Sequence, residues 1–407
     1  MSIAATPSTS EPSPIAPGSG ALRDLLALIA SGAAAREREA RPPHDVIDLI
    51  RETRFGAMRI PVEEGGAGAS YREFFAILIE LAHADANVAH ILRAHFWFVE
   101  SRLLATDRDE RARWLGEVAR GAIFGNAASE LGSRTVGGRE LDTRLSTDGD
   151  GFRLNGTKYY CTGSLFSDWV AVFAATDDGR IASVIVPVDR GGFTLEDDWD
   201  GIGQRLTGTG TARLVDVAVA ADEVILLPGG DEWPASYQGA FLQLYLTAVI
   251  AGISRSVVDD AAGVIRARTR TYAHAAAPTA TADPQLQQVL GEVASQAFAA
   301  EALVLIAAEA LDAAAASVVE GVPDVALAAE ASLRAAKAKV VVDALAPRIA
   351  TQLFDAGGAS ATKQAHNLDR HWRNARTLAS HNPTIYKSRA IGDWLVNGTP
   401  LPANGFF

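Results

Sequence analysis

The residues most able to do chemistry in this chain are His90, Asn126, Thr162, Gly163, Arg270 and His381. His381 begins His381-Asn382-Pro383, a loop pattern rather than a packing motif, and an imidazole there can donate, accept or move a proton near neutral pH. His90 lies in an apolar helical pattern, where a hydrogen-bonded core histidine is the plain alternative to a functional one. Asn126 divides between capping a turn and touching a ligand. Thr162 and Gly163 belong to Asn155–Asp168, where Asn155-Gly156 reads as a hairpin turn and the following strand breaks into Thr162, Gly163 and Ser164. Such a break offers donors to a flat, hydrogen-bonding cofactor, although Thr162 could equally end a strand. Arg266-x-Arg268-x-Arg270 reads by itself as a solvated helix end favoured by the dipole.

Other chemistries lack their residues. The 8 histidines contain no i,i+4 pair and Cys161 is the 1 cysteine, so a metal site is not expected. Gly-x-Ser-x-Gly is absent, which removes a hydrolase elbow. Gly65-Gly66-Ala67-Gly68 has no Lys-Ser/Thr after it, and Gly208-Thr209-Gly210 has no surrounding βαβ unit. Both read as connectors, and no nicotinamide fingerprint remains.

With 407 residues, 48% of them hydrophobic and 21% charged, the chain can build two or three packed units. A net charge of −12 and a pI near 5.2, without a basic stripe, argue against nucleic acid and anionic membranes. A lone cysteine fits a reducing, cytoplasmic setting. The Ser/Pro/Ala-rich residues 1–20 read as a disordered tail, not a signal peptide. The apolar run Phe241–Ile253 contains Gln243 and is too short to span a bilayer, so no membrane segment is expected.

These candidates need elements to hold them. Residues 21–122 carry helical periodicity, with one expected helix running from Val88 to Leu104. Residues 123–230 switch to period two with crowded turn signals and read as a β domain. Residues 231–396 are helical and Ala-rich, giving a four-helix bundle of 234–270, 284–320, 323–355 and a helix around 362–396. Asp283-Pro284 marks a helix start, Pro323 another, and Gly357-Gly358 a stop. Residues 397–407 form a C-terminal tail. The fold class is therefore α+β, in the order helical domain, middle β domain, helical bundle.

From Leu22 to Trp394 the sequence resembles the acyl-CoA dehydrogenase fold family. It looks most like the reduced-flavin-dependent monooxygenase branch that includes dibenzothiophene monooxygenase and sulfone- or sulfinate-oxidising relatives. The stretches carrying the resemblance are Ile60–Gly68, Phe124–Glu130, Asn155–Gly163, Leu368–Arg376 and His381–Pro383.

Dehydrogenation needs a carboxylate base for the substrate α-proton. Its positions fall on Asn382 or Lys387, or near Leu242-Gln243, and none of these is an acid. The family's Glu-Pro-Gly-Ala-Gly-Ser-Asp loop also departs here, as Ser129-Glu130-Leu131-Gly132-Ser133-Arg134. The resemblance instead implies oxygenation by reduced FMN and O2 through a C4a-hydroperoxide, with FAD also possible and sulfur the favoured target. His381 and His90 match the histidines of the branch's pocket, although the aromatic residue expected four positions after His90 is Ala94. Asn126 and Ser129 match a loop at the flavin ring and substrate, and Thr162-Gly163 the hydroxyl edge near it. Arg270, or alternatively Arg268, matches the arginine that pairs with the flavin phosphate. The implied partners are a separate NAD(P)H-dependent flavin reductase and a small organic substrate, and the implied assembly is a homotetramer. The rival readings are an FAD-dependent acyl-CoA dehydrogenase, a nitrogen or aromatic-carbon oxygenase of the same fold, and a non-catalytic helical scaffold.

Overall fold

Ser19 starts the first helix, α1 (Gly20–Glu39), by accepting the Leu22 N–H on its hydroxyl, and Leu22, Leu25, Leu26 and Ile29 then form its buried stripe. The computed structural model describes residues 13–132, 140–227, 236–402 and 407. Residues 1–12 of the expected tail, Ser133 and Arg134, the expected boundary at 230–231 and residues 403–406 lie outside these. Helix α2 (His44–Glu52) buries Val46, Ile47 and Ile50. Helix α3 (Tyr71–Ala84) opens on a reciprocal Ser70–Glu73 capping box, a device that contributes about 1 kcal/mol.

The helix expected from Val88 to Leu104 is divided at Leu92 into α4 (Ala86–Ile91) and α5 (Arg93–Leu103). The Tyr245 hydroxyl donates to the Ala89 carbonyl at 2.8 Å, the carbonyl that a continuous helix would offer to the Arg93 N–H. Helix α6 (Arg108–Ala119) completes the N-terminal layer.

The β domain is one sheet. Its strands are β1 (Phe124–Ala127), β2 (Arg144–Asp148), β3 (Gly151–Lys158), β4 (Trp169–Thr176), β5 (Ile181–Pro187), β6 (Phe193–Glu196), β7 (Thr211–Val219) and β8 (Val224–Leu226). Their order is β6-β7-β3-β2-β4-β5-β8, with β1 pairing parallel to β4. The Asn155-Gly156 hairpin expected from sequence is not formed. The turn falls at Gly149-Asp150, and Asn155-Gly156 is a bulge inside β3. Gly156 takes a φ of 155°, and the Asn155 amide oxygen accepts the Asp216 N–H at 2.8 Å across the bulge. Two strong turn signals lay close together, and the antiparallel partner β7 absorbed the second as a bulge.

The bundle consists of α7 (Gln238–Ala267), α8 (Pro284–Ala316), α9 (Val325–Gly357), α10 (Arg370–Ala379) and α11 (Thr384–Asn397). Asp283 caps α8 as expected, and Gly358 ends α9 at a φ of 61°. Asp324, rather than Pro323, opens α9 by accepting the Leu327 N–H at 3.0 Å. The expected fourth helix is two, because Pro383 lacks an N–H and restricts Asn382. The apolar run 241–253 lies within a 30-residue helix, long and apolar enough by composition to cross a membrane, as is α8. Its apolarity serves the core: Phe241 and Tyr245 interlock with Phe74 of α3 and Phe96 of α5. Truncating such a buried ring costs about 3–5 kcal/mol. Helix α8 differs in leaving Phe298 74% exposed.

Candidate functional site

Helix α4 is too short to hold itself, so polar contacts fix it. Its N-cap, Asp85, pairs with Arg36 at 2.9 Å in a buried ion pair, and the Arg36 guanidinium also donates to the Ile29 carbonyl at 2.6 Å. Asn87 donates to Glu37 at 2.7 Å and accepts the Leu206 N–H at 3.3 Å. A buried charge pair holds only when such extra hydrogen bonds satisfy it. The result ties α4 to α1 and to the loop between β6 and β7.

That loop orients His90. The His90 Nδ1 donates to the Gln204 amide oxygen at 3.0 Å, which leaves Nε2 with no partner among the described residues. Burial, then the charges of Arg93 and His381, push its pKa down to about 3, so the ring is neutral. His95, one turn beyond, shows the structural alternative. It donates from Nε2 to the Gly56 carbonyl at 3.0 Å and accepts the Phe124 N–H on Nδ1, so both ring nitrogens are satisfied. Gln204 itself donates its N–H to Asn374 at 2.6 Å, while its carbonyl accepts the Thr207 hydroxyl at 2.8 Å. A hydroxyl chain continues from Thr207 to Thr209 at 2.7 Å and to Thr162 at 2.8 Å. The backbone of Gln204 has a φ of 54°, and its side-chain amide nitrogen is buried without a partner among the described residues.

The β domain brings its own edge to the same place. Gly163 has a φ of 83°, its N–H is already engaged by the Thr207 carbonyl at 2.9 Å, and a Cβ there would collide with the Ile91 carbonyl. It is therefore the close-approach residue seating the sheet against α4, and its N–H offers nothing to a ligand. Thr162 likewise commits its N–H, to the Tyr160 carbonyl, so its half-buried hydroxyl is the group left at this edge. Asn126 lies on β1 with its carbonyl accepting from Ser164 and its side-chain amide unpaired among the described residues. The Ser129 carbonyl accepts the Tyr159 N–H at 2.9 Å. Next to it, the Lys158 ammonium and Glu130 form a buried pair at 2.6 Å that fastens this loop to β3. Cys161 is buried, and burial pushes its thiol up to about 12, which fits an inert packing role.

His381 precedes α11 and approaches the site from the bundle. Its Nδ1 bonds to the Asn382 side-chain oxygen. The residue is exposed at its surface; desolvation of the ring and the charges of Arg93, Lys339 and Lys387 lower its pKa, with the Asn382 bond opposing. His90 and His381 sense each other's charge. His381 thus lies near His90, and the hydroxyl chain joins Thr162 to the loop that holds His90, while Asn126 has no described contact with either histidine. Arg270 lies away from them. It is exposed beyond the end of α7, and the 25 residues from Leu242 to Ala267 place it about 38 Å from the end of α7 beside Arg93. Arg268 donates to the Ala356 carbonyl at 3.3 Å. Two surface clefts of about 860 and 550 Å³ lie elsewhere, along Leu103, Arg108 and Gly321 and along Arg59, Glu100 and Asp312.

Sequence reasoning missed Gln204, Arg93 and Lys339, and it noted Lys387 only as a non-acid at a position of the dehydrogenase base. Nothing local marks Gln204, whose role depends on a loop returning to α4. Arg93 and Lys339 stand at distant positions and give no sequence pattern.

Across the whole chain, residues 23–122, 127–217 and 244–384 match the family models for the N-terminal, middle and C-terminal domains of acyl-CoA dehydrogenase. The chain belongs to the acyl-CoA dehydrogenase fold family. Within this family it falls in the flavin-dependent monooxygenase branch. It is 29% identical to a probable FMNH2-dependent monooxygenase, SfnC, of Pseudomonas putida, over 97% of this chain and 98% of the relative. The FMN-bound crystal structure of TdsC, a dibenzothiophene monooxygenase from Paenibacillus sp. A11-2, superposes with a TM-score of 0.85 at 29% identity, covering 95% and 98% of the two chains. Methanesulfinate monooxygenase MsuC from Pseudomonas fluorescens gives a TM-score of 0.85 at 28% identity, with coverage of 95% and 98%.

Proposed function

We propose that this chain is the oxygenase of a two-component system that takes reduced FMN from a separate flavin reductase and inserts one atom of O2 into a small organic substrate, with sulfur as the atom oxygenated. The observation that carries this reading is the pair of neighbouring histidines, each fixed at Nδ1, by Gln204 and by Asn382, so that Nε2 is left to accept. Similarity to TdsC and SfnC, whose names specify FMN or FMNH2, supports the choice of cofactor. The residues also fit a flavin ring. The orphaned Gln204 amide nitrogen, the Thr162 hydroxyl and the free Asn126 amide offer the donors and acceptors that its polar edge needs. When bound, reduced FMN supplies two electrons to O2, so that one oxygen atom enters the substrate and the other leaves as water.

The chain's own contribution is proton control. His90 presents an unprotonated Nε2 inside a buried wall, and His381 presents the same atom nearer solvent. Each can accept a hydrogen bond from the oxidant or substrate, and His381 Nε2 can pass a proton outward. Asp343, the carboxylate within this charge cluster, is bound by Lys339 and Thr384, which disfavours it as a base for dehydrogenation.

In this reading Arg270 or Arg268 meets the FMN phosphate from a neighbouring copy in a homotetramer, consistent with the distance along α7. The exposed apolar face of α8 around Phe298 suits subunit packing.

Rapid mixing tests the reading. Protein with reduced FMN, mixed with oxygenated buffer, should delay the return of oxidised-flavin absorbance relative to free FMN. Absence of any delay, together with bleaching of bound oxidised flavin by an acyl-CoA, would overturn it.

A further inference from the structure

The stretch Leu368–Arg376 carries part of the family resemblance, yet the proton chemistry above uses none of its side chains. Its helix, α10, buries Asn374 against the loop between β6 and β7. The Asn374 side-chain oxygen accepts the Gln204 N–H at 2.6 Å, and the Gln204 side chain accepts from His90 Nδ1 at 3.0 Å. Two hydrogen bonds thus join α10 to the imidazole. The loop also lies directly on the helix, because a Cβ on Gly203 would collide with the Arg373 carbonyl.

Arg373 holds the residues on either side of this contact. Its guanidinium donates to the Ile202 carbonyl at 3.1 Å, to the Asn367 side chain at 3.0 Å, to Asp369 at 2.8 Å and to Glu37 at 3.4 Å. Glu37 accepts from Asn87 at 2.7 Å, and Asn87 of α4 accepts the Leu206 N–H at 3.3 Å. The bonds close a ring. Asn374 ties α10 to the loop, Asn87 ties the loop to α4, and Glu37 with Arg373 ties α4 back to α10. The same helix leads into His381, whose N–H donates to the Leu378 carbonyl at 3.1 Å.

The ring has a local reason. Gln204 has a φ of 54°, a conformation that a residue with a side chain keeps only where its surroundings over-determine it. Release of its N–H would let the backbone relax and carry the side-chain oxygen away from His90 Nδ1. A neutral imidazole without that acceptor is free to carry its proton on either nitrogen, and with the proton on Nε2 that atom can no longer accept.

We propose that Asn374 and Arg373 are positioning residues that act through Gln204, fixing its backbone so that His90 keeps its proton on Nδ1 and an accepting Nε2. The consequence for flavin chemistry rests on the monooxygenase reading above, whereas the position of the proton does not.

The test uses the full-length protein with isotope-labelled histidine at pH 7. Long-range nitrogen–proton correlation spectra report which ring nitrogen of His90 bears the proton, its signal being the one lost in His90→Gln. The unaltered protein should show the Nδ1–H form. Asn374→Leu, of similar volume but with no acceptor, should shift the balance toward Nε2–H by roughly five- to tenfold, the effect of one lost hydrogen bond. Asn374→Asp still accepts the Gln204 N–H and should keep the Nδ1–H form even where it lowers the melting temperature, a separation that a merely structural role would not produce. With reduced FMN and O2, peroxide released per flavin oxidised should rise in Asn374→Leu and not in Asn374→Asp. If Asn374→Leu does not fold, Arg373→Gln loosens the same loop at Ile202 and should give the same shift. An Nε2–H form in the unaltered protein overturns the inference without any variant, and so does an unchanged proton position in Asn374→Leu or its substitute. If the proton moves as expected but the unaltered protein shows no delay in flavin reoxidation, the monooxygenase reading fails and the positioning role stands. If the delay is present and the proton does not move, only this inference falls.

Discussion

Removing Glu130 should harm the protein more than removing its partner Lys158, although the two form one ion pair at 2.6 Å with side chains 4% and 0% exposed. The reason is how each charge is otherwise satisfied. Glu130 also accepts backbone N–H groups from Thr143 at 2.9 Å and Asp142 at 2.6 Å. Lys158 has a single further bond, to the Ala128 carbonyl at 3.3 Å. In Lys158→Met the carboxylate keeps two donors, so the loss approximates one charge-assisted hydrogen bond, about 1.5–3 kcal/mol. In Glu130→Gln a fully buried ammonium faces an amide, which costs about 3–5 kcal/mol.

The pH dependence separates the same two variants. Burial alone would raise the Glu130 pKa, but the Lys158, Thr143 and Asp142 hydrogen bonds lower it from an ordinary 4.5 to about 2. A carboxylate depressed on folding contributes stability above its unfolded pKa and loses it as pH falls through the folded one. The difference sets an upper bound of about 3 kcal/mol, reduced by solvent screening, present above about pH 5 and gone near pH 2. Melting temperatures of wild type, both single variants and the double variant, measured at pH 7 and pH 4, decide the matter. Glu130→Gln should melt lowest at pH 7 and lose the least further stability at pH 4. The double variant should recover part of the loss, because the stranded ammonium is gone. Equal melting of the two single variants, or a lower midpoint for Lys158→Met, would refute the reasoning.

Gln204→Leu should leave folding within about 1 kcal/mol, since it removes an orphaned amide nitrogen along with the bond to His90. It should nevertheless increase peroxide released per flavin oxidised; unchanged coupling removes its role in orienting His90. His381→Ala should uncouple oxygen consumption from product more strongly than it weakens FMN binding, measured by peroxide yield against fluorescence titration. Lys387 is pushed down to about 7 by burial, then by Lys339, with Asp343 opposing; His381 and the Phe407 ring also lie near it. It is charged below that pH and neutral above, while the unfolded lysine stays charged, so the wild-type melting temperature should rise from pH 7 to pH 9 relative to that of Lys387→Met, and a constant difference would refute the shift. Phe298→Arg, on the exposed face of α8, should shift the assembly toward smaller species in sedimentation velocity if that face packs between subunits.

Much of the fold was legible because its signals are local. The Asp283-Pro284 start and the Gly358 stop are properties of a few adjacent residues, and both sit where the chemistry of caps puts them. The errors came where distant partners overrule local preference. Tyr245 divides the helix carrying His90, and β7 turns an Asn-Gly turn signal into a bulge. The site shows the same division. His90 and His381 were singled out through the family resemblance, the apolar pattern around His90 reading by itself as that of a core histidine. The free nitrogen that makes His90 different from His95 depends on Gln204, which lies 114 residues away. Gly163 was legible as special, but its reason is the Ile91 carbonyl behind it rather than a donor in front.

The cations and the histidines of this site belong to one arrangement. An imidazole left to itself would be partly protonated near neutral pH, and a protonated one would donate from both nitrogens. Burial and the neighbouring Arg93 keep His90 neutral, and the charges of Arg93, Lys339 and Lys387 bias the more exposed His381 the same way. Each ring can then accept at Nε2, which is what a proton-bearing oxidant requires.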